Sequence, residues 1–189
     1  MIKGGVGGYN TKTGLYFEGK VDLITFIKNL PNYKVIETPY TKNKKNKWYE
    51  IFYKDEKVAD AFRKHALYIY LDVNGVDWRK IISKQLLPDD AIYVIMENTV
   101  FIIEVKYQEV AGSVDEKLQT CDFKRKQYLK LFAPLNRKVE YIYILSDWFR
   151  KPEYKDVLDY IIIMGCRYYF NYLPLYEIGL PIPEEKTSQ

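Results

Sequence analysis

The 189-residue chain holds one histidine, His65, and two cysteines, Cys121 and Cys166, with no Cys-x-x-Cys pair. That excludes the common zinc sites, which gather four nitrogen or sulfur ligands at close spacing. It also excludes a disulfide framework, so the thiols are expected to be reduced core residues of a cytoplasmic protein. No apolar run reaches the roughly 20 residues that span a bilayer, and no N-terminal signal segment is visible, so no membrane partner is expected. The opening GGVGGYNTKTG lacks Gly-Lys-Ser or Gly-Lys-Thr and reads as a flexible lead-in rather than a phosphate-binding loop. The net charge of +4 is too small to announce a nucleic-acid binder.

What the chain does have is apolar content, 48% of its residues, enough to bury one substantial core. No internal repeat and no proline- or glycine-rich linker divides it, so residues 1–189 read as a single domain. Its lysines gather in TKNKKNK (41–47) and DFKRKQYLK (122–130). The first cluster reads as a solvated loop or as a DNA contact; the second lies on a helix.

Apolar spacing predicts a leading helix over 15–30, ended by Pro31, then strands within 33–53 around the lysine loop. A second amphipathic helix is expected over 57–70, with His65 a structural residue on it. After an apolar hairpin at 86–107 the pattern gives a helix over 114–132, the buried strand VEYIYIL (139–145), a helix over 152–164 with proline in its first turn, and a last strand, RYYFNY. This is an α/β arrangement: a central mixed β-sheet flanked by helices, with VEYIYIL parallel to the strand carrying Glu104.

The hairpin, LPDDAIYVIMENTVFIIEVKYQ, puts acids at one end of an apolar run and Glu-x-Lys at the other. A two-residue turn at Glu97-Asn98 would pair Met96 with Thr99, Ala91 with Glu104 and Asp89 with Lys106. Cross-strand partners share a face, so Asp89, Glu104 and Lys106 converge, while Asp90 points away. A four-residue turn keeps that parity; a three-residue turn reverses it and selects Asp90. Two carboxylates and an ammonium suit a hard divalent cation such as Mg²⁺, which is typically held by one or two carboxylates plus substrate phosphate. The lysine would assist the attacking water or offset charge on a scissile phosphate. The plainer alternative is a surface salt bridge worth little.

PDDAIYV followed by FIIEVK resembles the PD-(D/E)XK motif of restriction-endonuclease-like nucleases, with Asp89, Glu104 and Lys106 on the motif positions. It is similar in particular to cleavage domains of type IIS restriction enzymes, and the resemblance covers about residues 15–172 in element order. It implies a restriction-endonuclease-like core and a DNA endonuclease using Mg²⁺, or Mn²⁺ as a substitute, held by Asp89, Glu104 and Val105. Its products would carry 5′-phosphate and 3′-hydroxyl ends. Some relatives add a glutamate from the leading helix, and Glu18 stands where that would be. Lys117 and Gln119, and with them Lys124, Arg125, Lys126 and Lys130 of the basic helix, are candidates for the DNA backbone. Little chain remains to read a DNA sequence, so the resemblance points to the small catalytic subunit of a heterodimeric type IIS enzyme, its partner a larger DNA-recognising subunit that cuts the other strand. The alternatives are a homodimeric restriction enzyme and a non-catalytic DNA-binding or assembly module.

Overall fold

The computed structural model describes residues 16–18, 22–41, 46–108 and 114–183. In chain order its elements are β1 (Tyr16–Glu18), α1 (Leu23–Lys28), β2 (Tyr33–Glu37), β3 (Trp48–Tyr53), β4 (Glu56–Phe62), α2 (Ala66–Val73), β5 (Asp90–Val94), β6 (Thr99–Lys106), α3 (Val114–Leu118), α4 (Cys121–Phe132), β7 (Lys138–Leu145), α5 (Lys155–Ile163), β8 (Arg167–Phe170) and β9 (Tyr172–Pro174). Strands β2 to β8 form one seven-stranded sheet in sequence order, and β1 pairs with β9 in a small second sheet. The large sheet is antiparallel from β2 to β6 and parallel from β6 to β8. The α/β class and the mixed sheet with flanking helices are therefore present, and β7 runs parallel to β6 as its approach through α4 requires. Among the described residues no helix is long and apolar enough to cross a membrane.

Both faces of the sheet are covered. On one, Val100 and Ile102 of β6 and Tyr141 and Tyr143 of β7 pack under α2, α4 and α5. On the other, Phe101 and Ile103 meet Leu23, Ile24 and Ile27 of α1 together with Leu173, Leu175, Ile178 and Leu180. Burial on both faces explains the near-continuous apolar runs of β6 and β7.

Three sequence expectations are corrected. Residues 15–30 are not one helix: Tyr16–Glu18 is a strand on Tyr172–Pro174, and α1 starts only after Asp22, whose carboxylate accepts the Thr25 N–H at 2.9 Å. A short aromatic stretch between Gly14 and Gly19 favours extended pairing over helix. Residues 57–70 are not one helix either, because β4 occupies 56–62 and α2 begins at Ala66. Lys54 and Asp55 both have positive φ, 47° and 65°, the signature of a two-residue primed hairpin turn that sends the chain back along β3. Val58 to Phe62 are then buried between β3 and β5, and that burial outweighs the helix-like spacing. Finally, the expected helix over 114–132 is broken into α3 and α4 by a turn at Gln119 and Thr120.

Candidate metal centre

The hairpin is joined by four residues, 95–98: Val94 pairs with Thr99 and Asp90 with Ile103. Met96 is exposed in the turn, and Asn98 takes a left-handed φ of 49° that closes it. The expected pairings of Met96 with Thr99, Ala91 with Glu104 and Asp89 with Lys106 are thus each displaced by two residues. An even displacement preserves the faces. Extending the register by one residue sets Asp89 beside Glu104, on the same side of the sheet as Lys106.

The three predicted side chains do meet. The Lys106 ammonium lies 2.9 Å from Glu104 Oε2 and 3.5 Å from Asp89 Oδ2, and it donates to the Val105 carbonyl at 3.3 Å. Asp89 Oδ2 also accepts the Val105 N–H at 3.0 Å, so its carboxylate is aimed by the neighbouring strand. The site grades from interior to solvent: the side chains are 7% exposed for Glu104, 18% for Lys106 and 53% for Asp89. Asp89 precedes β5, and its lead-in is clamped by Tyr68 of α2, whose hydroxyl donates to Leu86 O at 2.8 Å and accepts the Leu86 N–H at 2.7 Å.

A fourth residue joins them. Lys124 reaches in from α4 to both Glu104 oxygens, at 2.8 and 3.0 Å. It sits on the inward stripe of α4 with Cys121, Tyr128 and Leu131, at three- and four-residue spacings. Burial by itself would raise the Glu104 carboxyl, but Lys106 and Lys124 outweigh it, with the Tyr141 hydroxyl adding to them, and hold it below the ordinary carboxylate range. A lone buried carboxylate would cost several kcal/mol; here two ammoniums offset that cost.

Mg²⁺ or Mn²⁺ fits this donor set. Oxygens of Asp89, Glu104 and Val105 converge on one point, where the Lys106 ammonium now supplies the positive charge. Among the described residues no group of three or more His, Cys, Asp or Glu side chains could hold a metal. Two carboxylates and a carbonyl are nonetheless the kind of partial, hard-oxygen shell that Mg²⁺ completes with water and phosphate.

No family model, curated protein or solved structure matches the chain.

The remaining sequence-predicted residues divide. Asp90, the register's alternative, faces the other side of the sheet; burial pushes its carboxyl up to about 7, with the Arg63 guanidinium opposing and Asp89 adding to the rise. Arg63 in turn pairs with Asp22, the cap of α1. Glu18 lies in β1 opposite Tyr172 rather than on a leading helix, so the helical placement that suggested it for the site does not hold. Lys117 and Gln119 are exposed. Arg125 is turned toward Gly165 after α5, Lys126 is exposed and pairs with Asp122 at 2.8 Å, and Lys130 is exposed. Of the basic helix, then, only Lys124 enters the site. Sequence reasoning had placed it among backbone contacts; its spacing from Tyr128 and Leu131 was the signal that it points inward. His65 precedes α2, and its Nδ1 lies 2.6 Å from Gln85 Oε1.

Proposed function

We propose that the chain is a Mg²⁺-dependent DNA endonuclease of the PD-(D/E)XK type. The observation that carries the reading is the convergence of Asp89, Glu104 and the Val105 carbonyl on a single cation, the Lys106 ammonium, at the open end of the β5–β6 hairpin. Asp89, Glu104 and Val105 would hold the metal, which when bound supplies Lewis-acid polarisation of a phosphodiester and a more acidic water. Lys106, released from the carboxylates, assists the attacking water or offsets charge on the scissile phosphate. Lys124 stays on Glu104 and keeps that carboxylate ionised and aimed. Double-stranded DNA is the substrate in this reading, and the ends left are 5′-phosphate and 3′-hydroxyl.

Specificity is borrowed from a larger DNA-recognising subunit, as in heterodimeric type IIS restriction enzymes. Sequence readers bury roughly 1,000–2,500 Å² of protein surface, and little of this chain is spare. Leu173, Leu175, Ile178 and Leu180, part of the segment left over after the nuclease core, are themselves core residues at 0–2% exposure. Residues 42–45 of the lysine loop lie outside the described residues, and Lys47 at its end is bound to Glu37 at 2.5 Å.

The test is nicking of supercoiled plasmid by the purified chain at moderate salt. The chain should bind DNA weakly and, with Mg²⁺ or Mn²⁺ at high enzyme, nick it without a defined site, and chelator, Asp89→Asn or Glu104→Gln should each stop the nicking. Nicking that survives chelator or both substitutions contradicts the nuclease reading. Clean cutting of one short palindrome by the isolated chain replaces borrowed specificity with a homodimer reading two half-sites. DNA binding with no cleavage in any metal leaves a non-catalytic module.

A further inference from the structure

On the face of the sheet under α2, α4 and α5, at the end opposite Glu104, a pocket of about 360 Å³ opens beside β3, β4 and the end of α2. Its floor is aromatic: Trp48, Tyr70 and Tyr93 are buried there. At its rim the Tyr40 ring, 47% exposed, lies 5.1 Å from the Trp48 ring and within 17° of parallel. Asp60, 4% exposed, accepts the Trp48 indole N–H at 2.8 Å and pairs with Lys57 at 3.0 Å. Lys57 also holds Glu50 at 2.7 Å, and the Arg137 guanidinium lies over the Tyr93 ring at 4.3 Å. The Thr38 hydroxyl, on a residue 6% exposed that lines the same pocket, has no hydrogen-bond partner among the described residues.

Each feature limits the occupant. Two acids and two bases line the pocket, and both acids already hold Lys57, so the cavity does not call for a charged ligand. Tyr40 already covers the Trp48 ring, so its own exposed face is the one that calls for a planar partner. Lys57, Glu50 and Asp60 Oδ1 are engaged with one another and with the Trp48 indole, and Arg137 and the Tyr93 hydroxyl both donate to Asn98 Oδ1, so the Thr38 hydroxyl and Asp60 Oδ2, neither part of these pairs, are the groups that can meet the edge of a ring. Burial raises the Tyr70 and Tyr93 hydroxyls above their ordinary range, the Arg137 charge opposing. A volume of about 360 Å³ lies at the small end of ligand pockets and accommodates a ring system with a substituent.

We propose that this pocket binds a single nucleobase, stacked on the exposed Tyr40 ring with its edge toward the Thr38 hydroxyl and Asp60 Oδ2. A free nucleoside and an unpaired base of a strand present the same ring. The site stands on its own residues and does not rest on the metal centre.

Because the Trp48 indole N–H donates to Asp60 in the pocket floor, its NMR resonance, assigned with Trp48→Phe, reports occupancy. Adenosine, guanosine, cytidine and thymidine are titrated in chelator, so failure of the metal-centre reading leaves the result unaffected. A parallel arm uses a short single strand and the same strand with one abasic position. At least one nucleoside, or the intact strand and not its abasic form, should shift the resonance saturably; the first result assigns a free ligand and the second an unpaired base. Tyr40→Ala, at an exposed position that does not threaten folding, should weaken binding about tenfold, and Asp60→Asn should change which base binds best. No response to any nucleoside or strand overturns the proposal, as does affinity unchanged by Tyr40→Ala.

Discussion

One face of one sheet carries a buried carboxylate at each end, and the two ends differ in what surrounds it. Glu104 is held by Lys106 and Lys124 with a second acid, Asp89, open to solvent beside it. Asp60 is held by Lys57 and an indole, and its neighbours are aromatic rings. Both carboxylates are almost fully covered, so burial and a lysine partner do not by themselves mark a catalytic centre. At the first end further oxygens point at the Lys106 ammonium; at the second one lysine is shared by two acids among aromatic rings. The comparison teaches that the companions of a buried acid, more than its own ionisation, set the chemistry open to it.

The sharpest way to break the contrast is to remove one acid from each end. Glu104→Gln or Asp89→Asn should lower metal-dependent cleavage by at least about 10²-fold, roughly 2.7 kcal/mol of transition-state stabilisation, while Asp60→Asn leaves it unchanged and Asp90→Asn does far less harm than Asp89→Asn. Plasmid nicking rates for the four proteins decide this; an Asp90 variant that dies while the Asp89 variant lives would reassign the site to the other face of the sheet. Next in size is Lys106→Ala, expected to cost cleavage about 10²-fold with Mn²⁺ binding retained by calorimetry, since the ammonium competes for the oxygens the metal uses. Lost metal binding would contradict its assignment to the water and phosphate.

At the other end the expected effect is on stability. Asp60→Ala strips the Trp48 indole N–H of its acceptor and removes one partner of Lys57, and urea unfolding should show a loss of about 2–3 kcal/mol. Smallest is the effect of the outer lysines. Lys130→Gln should flatten the log-log salt dependence of DNA association by about 0.9 if it contacts a phosphate. Lys126→Gln should do less, because Asp122 already holds that ammonium. An unchanged slope for both returns them to solvated surface.

The parallel half of the sheet and the site hairpin were the legible parts of the sequence. Long apolar runs such as IYVIMENTVFIIEVK and VEYIYIL can be little else than buried strands, and a period of two fixes which side each charge takes even when the turn is miscounted by two residues. Strand β4 was not legible, because it alternates poorly and its apolar positions also satisfy a helical period. Only the tertiary fact that β3 and β5 flank it decides, although the paired left-handed residues Lys54 and Asp55 mark the turn. The contact of Lys124 with Glu104 was not legible, since a charge on a basic helix reads as surface until the helix is docked. Asp60 and Trp48, distant in pattern and joined only across the β3–β4 ladder, carried no local signal at all.

The most direct measurement is a crystal of the protein soaked in Mn²⁺, with anomalous scattering recorded at the manganese edge. The account predicts one ion at about 2.1 Å from oxygens of Asp89, Glu104 and Val105, with the Lys106 ammonium withdrawn from between them and Lys124 still on Glu104. A saturating soak that leaves the Lys106 ammonium in place, with no manganese peak at these oxygens, would contradict it.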